Sequence, residues 1–147
     1  MTIDAAGIKD FSGNHGVGQQ WVEWTVDTVH PRILSWASAG IHLRGVGEAA
    51  LVIPDDNTFS EPRDAGVRRL LVTFSEAIHP ASFTPAAVRI AGNGSNANPR
   101  DLSGIVITTS TRSDGMVGVI EFSTALPDYA RYLVRIEGVT DLAGNTL

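Results

Sequence analysis

Cysteine is absent from the 147 residues, so neither a disulfide framework nor a thiolate metal site can organise the chain. The compartment stays open on that ground, because exported proteins without cysteine are common. Positive charge is scarce and scattered. Eleven Lys and Arg face sixteen Asp and Glu, the net charge is −5, and Arg68-Arg69 is the only adjacent basic pair. Nucleic acid, which rewards clustered cations, is thereby excluded as a partner. No apolar run approaches the roughly 20 residues needed to span a membrane, so no membrane insertion is expected. Residues 1–20 hold no apolar core of signal-peptide length; an export signal would lie on a longer parent chain. Helical periodicity is missing too, beyond a single turn near Pro80–Phe83 or Pro127–Ala130.

What is present is a turn-rich β pattern. Hydrophobic residues make up 43% of the chain, alongside fifteen glycines and seven prolines, enough for a core in one domain or one domain plus a piece of another. Gln20–Asp27 alternates, with Trp21, Glu23 and Thr25 on one face and Val22, Trp24 and Val26 on the other. It reads as a strand, with Trp21 or Trp24 in a core. Asp27–Pro31 reads as a linker, since the residue before proline is pushed to extended geometry. A strand follows at Arg32–Ala37, burying Ile33 and either Leu34 or Trp36. Alternation resumes over Ile41–Ile53, where Gly45 and Gly47 suggest a bulge. Pro54–Asn57 is type I turn chemistry.

Val67–Phe74 is the best central strand, with Leu70, Val72 and Phe74 inward. Ser75–Pro85 is a crossing loop and Ala87–Ile90 a short strand. Ala91–Arg100 reads as an exposed loop. Ile105–Thr111, Met116–Phe122 and Arg131–Glu137 complete the set, with a hairpin signal at Ser113-Asp114-Gly115. Short strands at about 8–15-residue spacing between Gly, Asn, Asp and Pro turns indicate an all-β antiparallel sandwich. Tyr132 is a candidate tyrosine corner, its hydroxyl bonding a nearby backbone group.

One octapeptide occurs twice. GIKDFSGN (Gly7–Asn14) returns as GVTDLAGN (Gly138–Asn145), 131 residues later, with Gly, Asp, Gly and Asn unchanged. That spacing suits a tandem β-domain better than a solenoid.

Candidate chemistry is thin. His15, His30, His42 and His79 form no HExxH and no i, i+4 pair, and read as surface or turn residues. Ser75, Glu76 and His79 could supply nucleophile, acid and base, but no Gly-x-Ser-x-Gly elbow exposes the serine, so no catalytic residue is expected. Asp55, Asp56, Asn57, Glu61 and Asp64 form the richest cluster of oxygens for calcium. They lack the Asp-x-Asp-x-Asp-Gly spacing, and a plain turn is the reading. Asp27 and Asp141 could bridge adjacent domains through an ion, but Asp141 is read as capping its own turn. No metal, cofactor or cofactor-binding residue is assigned.

VTFSEAIHPASFTPAAVRI (Val72–Ile90) and YLVRIEGVTDLAGNTL (Tyr132–Leu147) resemble the bacterial Ig-like domain, in the versions called SbsA-type or Big, of large surface proteins. WTVDTVHPRI (Trp24–Ile33) is similar to the junction between such repeats. The resemblance implies an all-β, Ig-like antiparallel β-sandwich of about seven to nine strands. Ala39–Arg63 departs from it as an inserted segment after the first strand, and His79 stands where the family usually has Asp. On this reading residues 1–27 are the terminal strand and turn of a preceding repeat. Residues 28–147 are a sandwich lacking its own last strand.

The implied function is non-enzymatic: a spacer, adhesion or protein-interaction module, extracellular or at the cell surface, within a longer exported chain. Its partners would be neighbouring Ig-like repeats. The alternatives are a carbohydrate-binding module, with Trp21, Trp24, Trp36, Tyr129 and Tyr132 as aromatic sources, and a calcium-dependent adhesion repeat. Four residues, Thr28–Pro31, span at most about 14 Å, too little for the chain's own first strand to reach a gap at the opposite pole. Two outcomes follow: exchange of Trp21–Val26 between copies in a homodimer, or a sandwich open at one edge. Against these, Ile41–Ile53 could cover the edge.

Overall fold

The computed structural model describes residues 2–42, 47–94 and 98–147. Nine strands occur among them: β1 (Thr2–Asp4), β2 (Gln19–Trp21), β3 (Ile33–His42), β4 (Gly47–Ile53), β5 (Arg69–Phe74), β6 (Val88–Gly94), β7 (Ile107–Thr111), β8 (Val117–Phe122) and β9 (Ala130–Ile136). All pairings are antiparallel. The order β4-β3-β5-β8-β7 makes a five-stranded sheet, β6-β9 a two-stranded one, and β1-β2 a separate ribbon. Among the described residues, helix is limited to 3-10 turns at Ala5–Gly7, Pro80–Ser82 and Pro85–Ala87. The all-β class and the central place of Val67–Phe74 are as the alternation predicts.

The core lies between the two larger sheets. Leu70, Val72 and Phe74 of β5 point into it with Ile120 and Phe122 of β8, against Val88 of β6 and Ile136 of β9. Burying each such side chain contributes about 1.5–3 kcal/mol. The loop after β5 adds Ile78 and Phe83. The Phe83 ring meets Phe74 edge-on, at 5.9 Å between centroids and 82° between planes. Gly118 makes room for it: a Cβ there would come within 2.8 Å of the Phe83 ring and of Val72. Tyr132 does form the corner, donating its hydroxyl hydrogen to the Pro127 carbonyl at 2.6 Å.

Several local expectations are corrected. The strand expected over Gln20–Asp27 stops at Trp21, and Trp21 and Trp24 are 71% and 61% exposed. Alternation makes a strand amphipathic but supplies no second layer, and β1-β2 has no sheet face against it among the described residues. In β3 the expectation holds: Ile33 and Trp36 pack half-buried on the core, while Leu34 is exposed. β6 runs on through Gly94, so Ala91–Gly94 is strand and not loop; positions 95–97 of that expected loop lie outside the described residues. The bulge expected around Gly45 also lies outside them; Ile41–Ile53 contributes the end of β3 and β4, which pair from Trp36↔Ile53 to His42↔Gly47.

β4 occupies the far edge of the large sheet, and the chain after it returns under β3. There Ser38, fully buried, accepts a hydrogen bond from Arg63 Nη2 and donates to Glu61. Arg63 also bonds both Glu61 oxygens and the Ala49 carbonyl.

Candidate functional site

The duplicated octapeptide takes the same backbone form twice. In the second copy Asp141 N donates to Asn145 O (2.9 Å), and Asn145 N and Nδ2 donate to Asp141 Oδ1 and Oδ2 (2.8 and 2.7 Å). In the first, Asp10 N donates to Asn14 O (3.0 Å), and Asn14 N and Nδ2 donate to Asp10 Oδ1 and Oδ2 (both 2.9 Å). The closing bonds match as well: Leu147 N to Val139 O and Gly16 N to Ile8 O, each 2.8 Å. Gly144 (φ 95°) and Gly13 (φ 85°) occupy the left-handed region that glycine alone enters without strain. An aspartate that accepts from its own turn and an asparagine that reaches back explain why these two residue types recur at this spacing.

Their surroundings differ. Asp10 is exposed, whereas Asp141 is 2% exposed. The second turn is docked through an Ile78↔Asp141 bridge, His79 N to Thr140 O (2.8 Å) and Thr140 N to Ser82 Oγ (3.0 Å). Burial would push the Asp141 carboxyl up, but the hydrogen bonds from Asn145 and the turn amides outweigh it and hold it below the ordinary value.

The linker is fastened to this turn. Asn145 Nδ2 donates a second bond to the Asp27 carbonyl (3.3 Å), and His30 Nδ1 bonds the Thr146 carbonyl (2.8 Å), an acceptor that requires the proton on Nδ1. Asp27 caps its own turn through Val29 N (3.0 Å). Arg32 N donates to Ser75 Oγ (2.9 Å) and Ser75 N to Arg32 O (2.8 Å). Residues 27–32 are thus strapped across the pole where β5 and β9 both end.

Three carboxylates meet there. Asp27, Glu76 and Asp141 each place an oxygen within 4.8 Å of the other two. Partial burial raises the Glu76 carboxyl, and the like charges of Asp27 and Asp141 raise it further. Both Asp141 oxygens accept from Asn145, and Asp27 Oδ1 from Val29. The group therefore offers few free ligands against the six to eight oxygens calcium takes.

The meeting of Asp27, in the linker, with Asp141, in the closing turn, was among the readings the sequence offered. Glu76 was not, because only the shared pole of β5 and β9 brings it in. His30, which reads as a linker residue, is here a strap. His15 Nδ1 bonds the Ala6 carbonyl (2.7 Å), and the His42 side chain lies outside the described residues.

The catalytic candidates do not converge. Ser75 Oγ is tied to Arg32 and His79 Nδ1 accepts from Ala81 N (3.3 Å), capping a 3-10 turn. The acidic run disperses: Asp56 caps Thr58, while Glu61 turns inward to Arg63. An open cleft of about 810 Å³ includes Arg63, Arg69 and Glu121. These charges are already paired, Arg63 with Glu61 and Arg69 with Glu48 and Glu121. No helix among the described residues is long and apolar enough to cross a membrane.

A family model described as the bacterial Ig-like domain matches residues 53–147. No curated protein and no solved structure matches the chain.

Proposed function

Since the chain belongs to the bacterial Ig-like domain family, we propose that it serves as a non-enzymatic spacer module in a larger exported bacterial protein, joined stiffly to a preceding module of the same kind. Adhesion or protein interaction would be carried by the assembled string. The observation that supports this is the recurrence of one hydrogen-bonded turn 131 residues apart, with the connecting linker strapped to the second copy by Asn145 and His30. A spacer transmits force or distance only if its joints do not hinge, and these bonds remove the freedom that a linker otherwise has. The tied-back hydroxyl of Ser75 and ring of His79 favour a structural over a chemical role.

Backbone NMR relaxation tests the joint. Residues 27–32 are expected to show order parameters near the rigid value of about 0.85, falling towards 0.6 in His30→Ala with Asn145→Ala. Values already that low in the wild type would overturn the stiff-spacer reading. The coding sequence on either side of this segment tests the parent: further Asp-x-x-Gly-Asn turns and an export signal are expected. A flanking sequence without either would refute the module reading.

A further inference from the structure

Strand register gathers three arginines that stand far apart in the sequence. β6 and β9 pair Arg89 with Arg135, Ala91 with Leu133 and Asn93 with Arg131. Alternation turns all six outward, while Ile90, Tyr132 and Val134 between them pack on the core. Arg89, Arg131 and Arg135 are exposed, and Leu133, lying between the last two, is 55% exposed. Glu137 N donates to Ala87 O (2.9 Å), so the odd-numbered pairs are the hydrogen-bonded ones, with Cα atoms about 5.5 Å apart. Arg131 and Arg135 are separated by about 13 Å at roughly 3.3 Å per residue. The outer face of the smaller sheet is therefore a cationic strip with an apolar centre, on a chain whose net charge is −5.

These three charges have no counter-ion among the described residues. The arginine side chains that enter ion pairs or hydrogen bonds there are those of Arg63, Arg69, Arg100 and Arg112. Glu137, next on the same face, is paired with none of them. Positions 1, 43–46 and 95–97, outside the described residues, contain no Asp or Glu. All six residues of the strip lie between positions 89 and 135, so it is independent of where the chain begins or ends. Like charges directly opposite on a sheet are destabilising, and Arg89 facing Arg135 sets two guanidinium groups side by side. One carboxylate can bridge both, because each guanidinium presents paired N–H donors that match carboxylate oxygens.

We propose that this strip docks an acidic protein surface, an extended segment with carboxylates on either side of an apolar side chain. One carboxylate bridges Arg89 and Arg135, the other meets Arg131, and the apolar group covers Leu133 and Ala91. In a strand, residues i and i+4 share a face about 13 Å apart, which matches the spacing of Arg131 and Arg135. Arginine beside an aliphatic centre is also an interface composition, since Arg recurs among the residues that carry binding energy between proteins. An acidic glycan is disfavoured, because none of the six side chains offers an aromatic ring for a sugar to stack on. Two strands make a narrow face, so binding is weak, charge-driven and sensitive to salt. The inference does not rest on the stiff-spacer reading: a hinged linker would leave this face unchanged.

NMR titration of the isotopically labelled full chain tests it, with the peptide Glu-Thr-Val-Thr-Glu as probe. At low ionic strength, millimolar peptide should shift the backbone amides of Arg89, Arg131, Leu133 and Arg135. It should leave those of Arg69 and Arg112, whose charges are already paired. The shifts should vanish in high salt and with Gln-Thr-Val-Thr-Gln. Arg89→Glu should remove most of the response while raising the melting temperature, because opposed like charges become an opposite pair; lost binding is thereby separated from lost fold. Shifts that are absent or fall elsewhere, or equal shifts from the glutamine peptide, would overturn the inference. So would a lowered melting temperature in Arg89→Glu, which would show that the opposed arginines already have a partner within the fold. Glucuronate oligomers that shift the same residues as strongly would also overturn it, assigning the strip to a glycan.

Discussion

Replacing Glu61 with Gln should expose how much the chain between β4 and β5 contributes to the sandwich. The Glu61 and Arg63 side chains are only 11% and 16% exposed. The Arg63 side chain is the principal cause of a Glu61 carboxyl held down at about 2, with Ser38 adding to it against the penalty of burial. A depressed carboxylate stabilises the fold above its unfolded value near 4.5, and that stability is lost as pH falls through the folded value. The difference of about 2.5 units sets a ceiling of roughly 3 kcal/mol at 1.36 kcal/mol each. A second route agrees. Breaking a fully buried pair by removing one partner costs about 3–5 kcal/mol, and the residual exposure here places Glu61→Gln at roughly 2–3 kcal/mol. Urea denaturation at pH 7 should show that loss, equal to a fall in Tm of about 6–10 °C. Lowering the pH from 4.5 to 2 should erase most of the difference, because the wild type loses the contribution and the variant has none to lose. Glu61→Leu with Arg63→Met should recover much of the stability, since no charge is then left unpaired. A deficit below about 0.5 kcal/mol at pH 7, or one equally large at pH 2, would refute the assignment of the stability to this ion pair.

Asp141→Ala should destabilise by about 2–3 kcal/mol, because it strands buried turn donors, while Asp10→Ala in the exposed copy should cost clearly less; equal costs in parallel urea titrations would show that docking adds nothing. Tyr132→Phe removes the bond to the Pro127 carbonyl and should cost about 1 kcal/mol by the same measurement. Glu76→Gln should stabilise at pH 7 and not at pH 3. The raised Glu76 carboxyl favours the protonated fold, so stability drains away as pH rises from the unfolded value through the folded one. Calcium at millimolar levels should leave the wild-type Tm unchanged; a rise that vanishes in Glu76→Gln would instead support a calcium-dependent repeat.

Much of the architecture was legible because period-two alternation and turn chemistry are local. β5 and β8 announce their buried faces through Leu70, Val72, Phe74, Ile120 and Phe122, and the Asp-x-x-Gly-Asn turn is specified by bonds within five residues. The hydroxyl partner of Tyr132 also lies five residues away. Alternation misled at Trp21 and Trp24, because it reports which residues share a face and not whether anything covers that face. The same limit hid Glu76, whose neighbours Asp27 and Asp141 lie 49 and 65 positions away.

By itself, then, the sequence determined the class of fold, the inward residues of its central strands and the identity of its two repeated turns, since all of these follow from contacts between near neighbours in the chain. Only the tertiary structure decided that Asp141 is buried while Asp10 is exposed, and that His30 and Asn145 strap the linker. Those features depend on which strands end at the same pole and which edges meet, and distances through space are not written in spacing along the chain.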